Sequence, residues 1–360
     1  MKSGSKRQAN FELLRILAML MIISLHYLVK GGIAVPFPFS ARENPVGVCA
    51  WLVEAFCIVA VNCYVLLSGY FLTESGWKPG RIGTLVGQVL FYSLLIPVFL
   101  FAVGVVSASQ LGLYGWIGFA FPFGTEHYWF ATAYLLMYLF APFLAAGMEK
   151  MDRRKLQIVL VFLLAFFSLE KTLLPLRLAT DRYGYDFGWF LCLFVLAGYI
   201  RKYGIGWMEK QSRAVAGYVI SCLCIWLLAV FFNAHSVDGG DAFAYYADML
   251  YSYNHFLCLA GAVSLFYVFK NMRVRDGRFE EAVRKLAPYT FGVYLLHEHI
   301  LVRYEWMRWL GVENVKKSFL FVPHLILCVV IVYGIGTAVD FARAWVFARV
   351  AAAVGNVPQR

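Results

Sequence analysis

Apolar runs of roughly twenty residues recur along the whole chain, and they limit its fold more than any single motif does. They fall at about 11–29, 46–71, 82–106, 127–147, 156–176, 187–200, 214–233, 250–270, 286–310 and 319–346. A helix of that length matches the hydrocarbon thickness of a bilayer. The alternating polarity of membrane-barrel strands is missing. The pattern predicts an all-α polytopic membrane protein with about ten transmembrane helices. The stretch LGLYGWIGFAFPF (111–123) is too short to cross comfortably and is expected to be re-entrant or interfacial.

Composition agrees with this reading. Hydrophobic residues make up 61% of the 360 and charged residues 15%, where a soluble domain carries about 25%. No soluble domain, long linker or clear internal repeat stands out, so 1–360 reads as one integral-membrane domain of the plasma (inner) membrane. Lys2, Lys6 and Arg7 precede the first run as in a signal peptide. That run is too long for a signal peptide's apolar core and contains Arg15 and His26, so it reads as an uncleaved span.

The net charge of +11 lies mainly in the loops. With the N-terminus cytoplasmic, 22 of the 32 Lys and Arg residues fall in inner segments and nine in outer ones. The positive-inside rule therefore places both termini in the cytoplasm. It also accounts for the basic balance, and no basic-aromatic pattern points to nucleic acid. The eight cysteines lie mostly within apolar runs and form no CxxC, which disfavours a disulfide framework.

Ionisable groups inside hydrocarbon need a reason. Arg15 and His26 are eleven positions apart in the first run, so they share one helical face to within ~20° and stand ~16 Å apart along the axis. In the expected orientation Arg15 lies near the inner leaflet and His26 near the outer one. A neutral imidazole can take a proton from a hydroxyl near pH 7. A guanidinium can bind phosphate or carboxylate, although Glu12 on the same face can also pair with it. Glu54, about two turns from the outer end of the second span, could orient His26. Glu126 and His127 open the fourth span, and Tyr294, His297, Glu298 and His299 reach the outer half of the ninth. His297 and His299 are two apart, ~200° around a helix, so they are not the one-faced pair of a zinc HExxH helix, and no metal is expected. In the second span, Ser68-Gly69 allows a break or a close backbone approach.

Taken in order, these motifs resemble the membrane-bound acyltransferase family 3. They are Glu12-x-x-Arg15-x10-His26, Leu67-Ser68-Gly69-Tyr70-Phe71, Tyr128-Trp129-Phe130 with Pro142, and Thr290-Phe291-Gly292-Val293-Tyr294-Leu295-Leu296-His297. The resemblance implies transfer of an acyl group, commonly acetyl from acetyl-CoA, to hydroxyls of cell-surface or lipid-linked glycans. The family's basic motif appears here as Lys78-Pro79-Gly80-Arg81, with Lys first. On this reading Arg15, Lys78 and Arg81 hold the CoA phosphates and His26 is the general base. Glu54 or Glu126 orients the imidazole, and Tyr294 or His297 donates to the developing oxyanion. Direct transfer and a covalent acyl-histidine both fit. The competing class is a proton-coupled transporter or flippase, which also builds on intramembrane Arg, His and Glu.

Overall fold

The computed structural model describes residues 8–75, 78–175, 182–239 and 241–355, and every regular element among them is helical. The first half runs α1 (Ala9–Lys30), α2 (Pro45–Cys57), α3 (Ala60–Leu72), α4 (Pro79–Ala102), α5 (Ala108–Ala120), α6 (Trp129–Glu149), α7 (Arg153–Leu164) and α8 (Glu170–Leu173). The second half runs α9 (Phe187–Tyr203), α10 (Gln211–Gly239), α11 (Asp241–Met249), α12 (Phe256–Lys270), α13 (Arg278–Leu286), α14 (Thr290–His297), α15 (Glu305–Trp309) and α16 (Phe321–Gly355). A π-helical segment, Ala165–Leu169, joins α7 to α8.

Among the described residues, seven segments are long and apolar enough to cross a membrane: α1, α2 with α3, α4, α6, α7 through α8, α10 and α16. Two further expected spans, 187–200 and 250–270, coincide with α9 and α12, helices of 17 and 15 residues. The expected span 286–310 is not one helix. Pro288 interrupts its entry with a 3₁₀ turn, Ala287–Tyr289, because a proline ring cannot continue an α-helical ladder. The eight-residue α14 follows and gives way to turns after His297. The 111–123 segment contains most of α5, kinked at Gly112 (φ 57°), with Leu113 and Tyr114 exposed.

Helix starts follow local chemistry. Asn44 accepts from Gly47 N ahead of Pro45, and Asp186 accepts from Trp189 N ahead of α9. Each side chain satisfies a backbone donor that the first turn leaves without a partner. The second span does break, but at Ile58–Val59 rather than at Ser68-Gly69. Backbone freed at that depth must find partners within the protein. Cys258 Sγ approaches Ile58 O at 3.6 Å. One turn on, fully buried Asn62 donates to Tyr253 O (2.6 Å) and accepts from Trp189 Nε1 (2.9 Å). Gly69 instead serves a close approach, since a β-carbon there would lie 2.8 Å from Ala197 Cβ on α9.

Helix α1 is the hub of the bundle. It packs against α2, α3, α12, α13, α14 and α16, and Leu14, Met19, Ile23, Tyr27 and Leu28 on its several faces are all buried. Apolar residues on nearly every face outside the Arg15–His26 strip put this helix inside the bundle. Tyr27 OH donates to His324 Nδ1 (2.8 Å), while His324 Nε2 donates to Leu310 O (3.0 Å), which ties α1 to α16. A second polar tie joins α4 to α16. Fully buried Asp340 accepts from Gln88 (3.0 Å), Tyr92 (2.9 Å) and Arg343 (2.6 Å). The Asp340 carboxyl lies directly against Gly292 of α14, where a β-carbon would overlap it.

Candidate active site

The site forms where the His26 end of α1 meets the end of α14. His26 Nδ1 lies 3.0 Å from His297 Nε2 and 3.0 Å from Glu298 Oε2. The network assigns the tautomers. His297 Nδ1 is 2.6 Å from Val293 O, an acceptor only, so His297 carries its proton there and presents a lone pair at Nε2. His26 must then be the donor at Nδ1, shared between His297 and the Glu298 carboxylate. In the neutral ring this leaves the Nε2 lone pair of His26 for the cavity it lines.

Glu298 is 4% exposed and is held by three cationic or donor groups. Lys30, in the last turn of α1, pairs with it, and Arg303 Nε lies 3.3 Å from Oε1. Arg303 also donates to His127 O (2.8 Å), which joins the start of α6 to the same cluster. One ligating atom from each of His26, His297 and Glu298 can be chosen so that all lie within 4.8 Å of one another. Lys30 and Arg303 already more than balance the single carboxylate charge, so a divalent cation would meet a local positive excess. The arrangement suits a hydrogen-bonded relay better than a metal centre.

The cavity in front of His26 is narrow, about 20 Å³, and is lined by Met19, Ile22, Tyr64, Trp129, Phe291 and Tyr294, among others. Tyr64 OH and Tyr294 OH are buried and make no well-formed hydrogen bond among the described residues, with Thr290 beside the first and the Phe130 backbone beside the second. Buried hydroxyls without a well-formed hydrogen bond are uncommon, because the lost hydration is not repaid. Here two of them border a cavity that also holds an imidazole with a lone pair to offer.

The residues expected from sequence divide clearly. His26, Tyr294 and His297 come together. His297 has both ring nitrogens engaged, which leaves neither for the oxyanion-donor role expected of it. Glu54 is buried on α2, with Oε2 lacking a hydrogen-bond partner among the described residues. The carboxylate on His26 is Glu298, not Glu54. The side chain of Glu126 lies outside the described residues. Arg15 pairs with Glu12 (3.0 Å) and sits one turn before Met19 on the cavity-facing strip of α1. Lys78 and Arg81 are exposed at the start of α4, away from the His26 cavity lining. From sequence, Glu298 stands among the polar residues of the ninth span with no role of its own, and Tyr64 is not picked out for the site. The signal for Glu298 was present, as an acid next to a histidine at the end of a span whose outer neighbours include Lys30.

Fold and site together define a multi-pass helical membrane protein with a buried histidine relay facing a cavity. The chain belongs to the acyltransferase 3 family, whose acyltransferase domain model matches residues 8–343. No match was found among curated proteins or among solved structures.

Proposed function

We propose that the protein transfers an acyl group, most simply acetyl, from acyl-CoA to a hydroxyl of a cell-surface or lipid-linked glycan, with His26 as general base. The family supports acyl transfer. The observation that carries the rest is the locked tautomer of His26, whose Nε2 is left for a cavity bordered by two tyrosine hydroxyls that make no well-formed hydrogen bond among the described residues.

Chemically, Nε2 takes the proton of the acceptor hydroxyl as its oxygen bonds to the thioester carbonyl carbon. Glu298 stabilises the imidazolium that forms. Tyr64 and Tyr294 donate to the oxyanion, so their missing hydrogen bonds are made in the transition state. The tetrahedral adduct then collapses. The C–S bond breaks, CoA leaves as thiolate, and the proton on Nε2 passes to sulfur. The donor enters from the cytoplasmic side, with its phosphates met by Arg15, Lys78 and Arg81. The glycan arrives from the outer side of the plasma membrane.

Purified protein in nanodiscs tests this directly. Supplied with a hydroxyl acceptor, wild type consumes acetyl-CoA and releases thiol, and His26→Ala does not. Equal thiol release by a folded His26→Ala protein overturns the base assignment. Substrate movement in proteoliposomes without thioester consumption would point to transport instead.

A further inference from the structure

A second, wider cleft of about 1040 Å³ opens beside the His26 cavity, with Trp129, Thr132, Arg182, Tyr185, Asp186 and Arg303 among its walls. Trp129 lines both spaces, so one indole is the partition between them. Arg303 also links the two, because it lines the cleft and pairs with the Glu298 that holds His26.

The far wall of the cleft is fixed in place. Tyr183 adopts φ 60°, a left-handed conformation rare for a bulky residue, and Gly184 follows at φ 82°. A β-carbon on Gly184 would lie 2.9 Å from Asn254 N and from Tyr253 Cβ. Tyr183 O accepts from Tyr253 N (3.2 Å), and Asp186 caps α9. Strain held by such contacts is a usual mark of a segment shaped for function. It presents Tyr185, 41% exposed, with its ring centroid 4.7 Å from that of Trp129.

Aromatic faces flanked by Arg, Asp and Thr match a pyranose ring, whose C–H face stacks while its hydroxyls seek charged partners. The cleft volume sits at the upper end of the about 300–1,000 Å³ range of small-ligand pockets, which leaves room for a sugar ring and what it is linked to. We propose that this cleft is the acceptor subsite. One sugar ring stacks on Tyr185, and Trp129 is the partition past which its reacting hydroxyl reaches His26. The proposal rests on the acyl-transfer reading and names where that reaction holds its acceptor.

Saturation-transfer NMR on the nanodisc protein tests it. The probes are methyl glucoside, methyl galactoside and methyl N-acetylglucosaminide, with glycerol as polyol control. At least one glycoside is expected to receive saturation at its ring C–H protons, and glycerol none. Tyr185→Ala is expected to lower that signal roughly three- to tenfold, the scale of one lost aromatic contact. Tyr185→Phe and Trp129→Phe, which keep a stacking face, retain it. No glycoside signal above glycerol, or equal signals in wild type and Tyr185→Ala, overturns the subsite. Thiol release from acetyl-CoA by wild type and His26→Ala, measured on the same preparations with excess glycerol as a small hydroxyl acceptor, reports separately on the acyl-transfer reading.

Discussion

Asp340 of α16 occupies the space beside Gly292 of α14 that any side chain at 292 would claim. The carboxyl is fully buried and accepts from Gln88, Tyr92 and Arg343, so it cannot step aside without leaving buried donors unpaired. Gly292→Ala is therefore expected to destabilise the protein by about 1–3 kcal/mol through overpacking. Thermal unfolding in detergent measures this. An unchanged midpoint would mean that the contact is slack.

Glu298→Gln keeps the size of the side chain at the His26 relay but removes its charge. Glutamine can still accept from His26 Nδ1, yet it no longer stabilises an imidazolium. Its amide can also donate, which allows the wrong tautomer. By analogy with such substitutions in other relays, turnover is expected to fall roughly 10²–10⁴-fold. Donor KM should change far less. A variant with near wild-type turnover would remove Glu298 from the relay.

Tyr64→Phe and Tyr294→Phe each delete a hydroxyl that makes no well-formed hydrogen bond among the described residues. Removing such a buried hydroxyl should not lower stability. If both hydroxyls meet the oxyanion, each deletion lowers kcat by about 10²–10³-fold. Melting and turnover measured together decide the matter. Unchanged turnover in both variants would return the tyrosines to a packing role.

The donor side is tested by charge. Arg15→Ala, Lys78→Ala and Arg81→Ala are each expected to raise the KM for acyl-CoA more than the KM for acceptor. The effect should shrink at high salt for exposed Lys78 and Arg81. A larger effect on acceptor KM would contradict phosphate binding there.

One pH effect is readable outside the spans. Arg201 lies 2.7 and 2.5 Å from the Glu74 carboxylate and holds its pKa below the usual 4.5. A carboxylate depressed in the folded state adds stability above its unfolded pKa, and that stability is lost as pH falls through the folded value. The midpoint gap between wild type and Glu74→Gln should thus be present at neutral pH and close in acid. Because Glu74 is mostly exposed, the gap should be small. A gap that widens on acidification would reverse the sign of this argument.

The sequence revealed the helical class and the first-span pair because both rest on periodicity. Arg15 and His26 share a face on spacing alone, whatever the rest of the chain does. The partner of His26 was harder to see. Glu54 and Glu298 are both single acids at similar expected depth, and only the end of α14 decides between them. Glu298 N still donates to Tyr294 O, so Glu298 keeps its helical place at the end of α14 beside Lys30 and His26. What the turn changes is the chain beyond it, which brings Arg303 back to the same carboxylate. The break at Ile58–Val59 was hidden for a related reason. Its freed carbonyls are met by Cys258 at Ile58 O and Tyr218 at Phe56 O, which come from two distant helices. The short α9 and α12 lie in apolar runs, and run length alone does not report where a helix stops.

The hub position of α1 also bears on how the chain is made. The first helix to leave the ribosome carries Arg15, His26 and Lys30, yet Lys30 finds Glu298 only 268 positions later, and Tyr27 finds His324 only after 297. Through most of synthesis His26, Tyr27 and Lys30 wait in the bilayer without these partners. A chain truncated before α14 would leave them so, and completion of α14 through α16 is the step that closes the bundle around the polar end of α1.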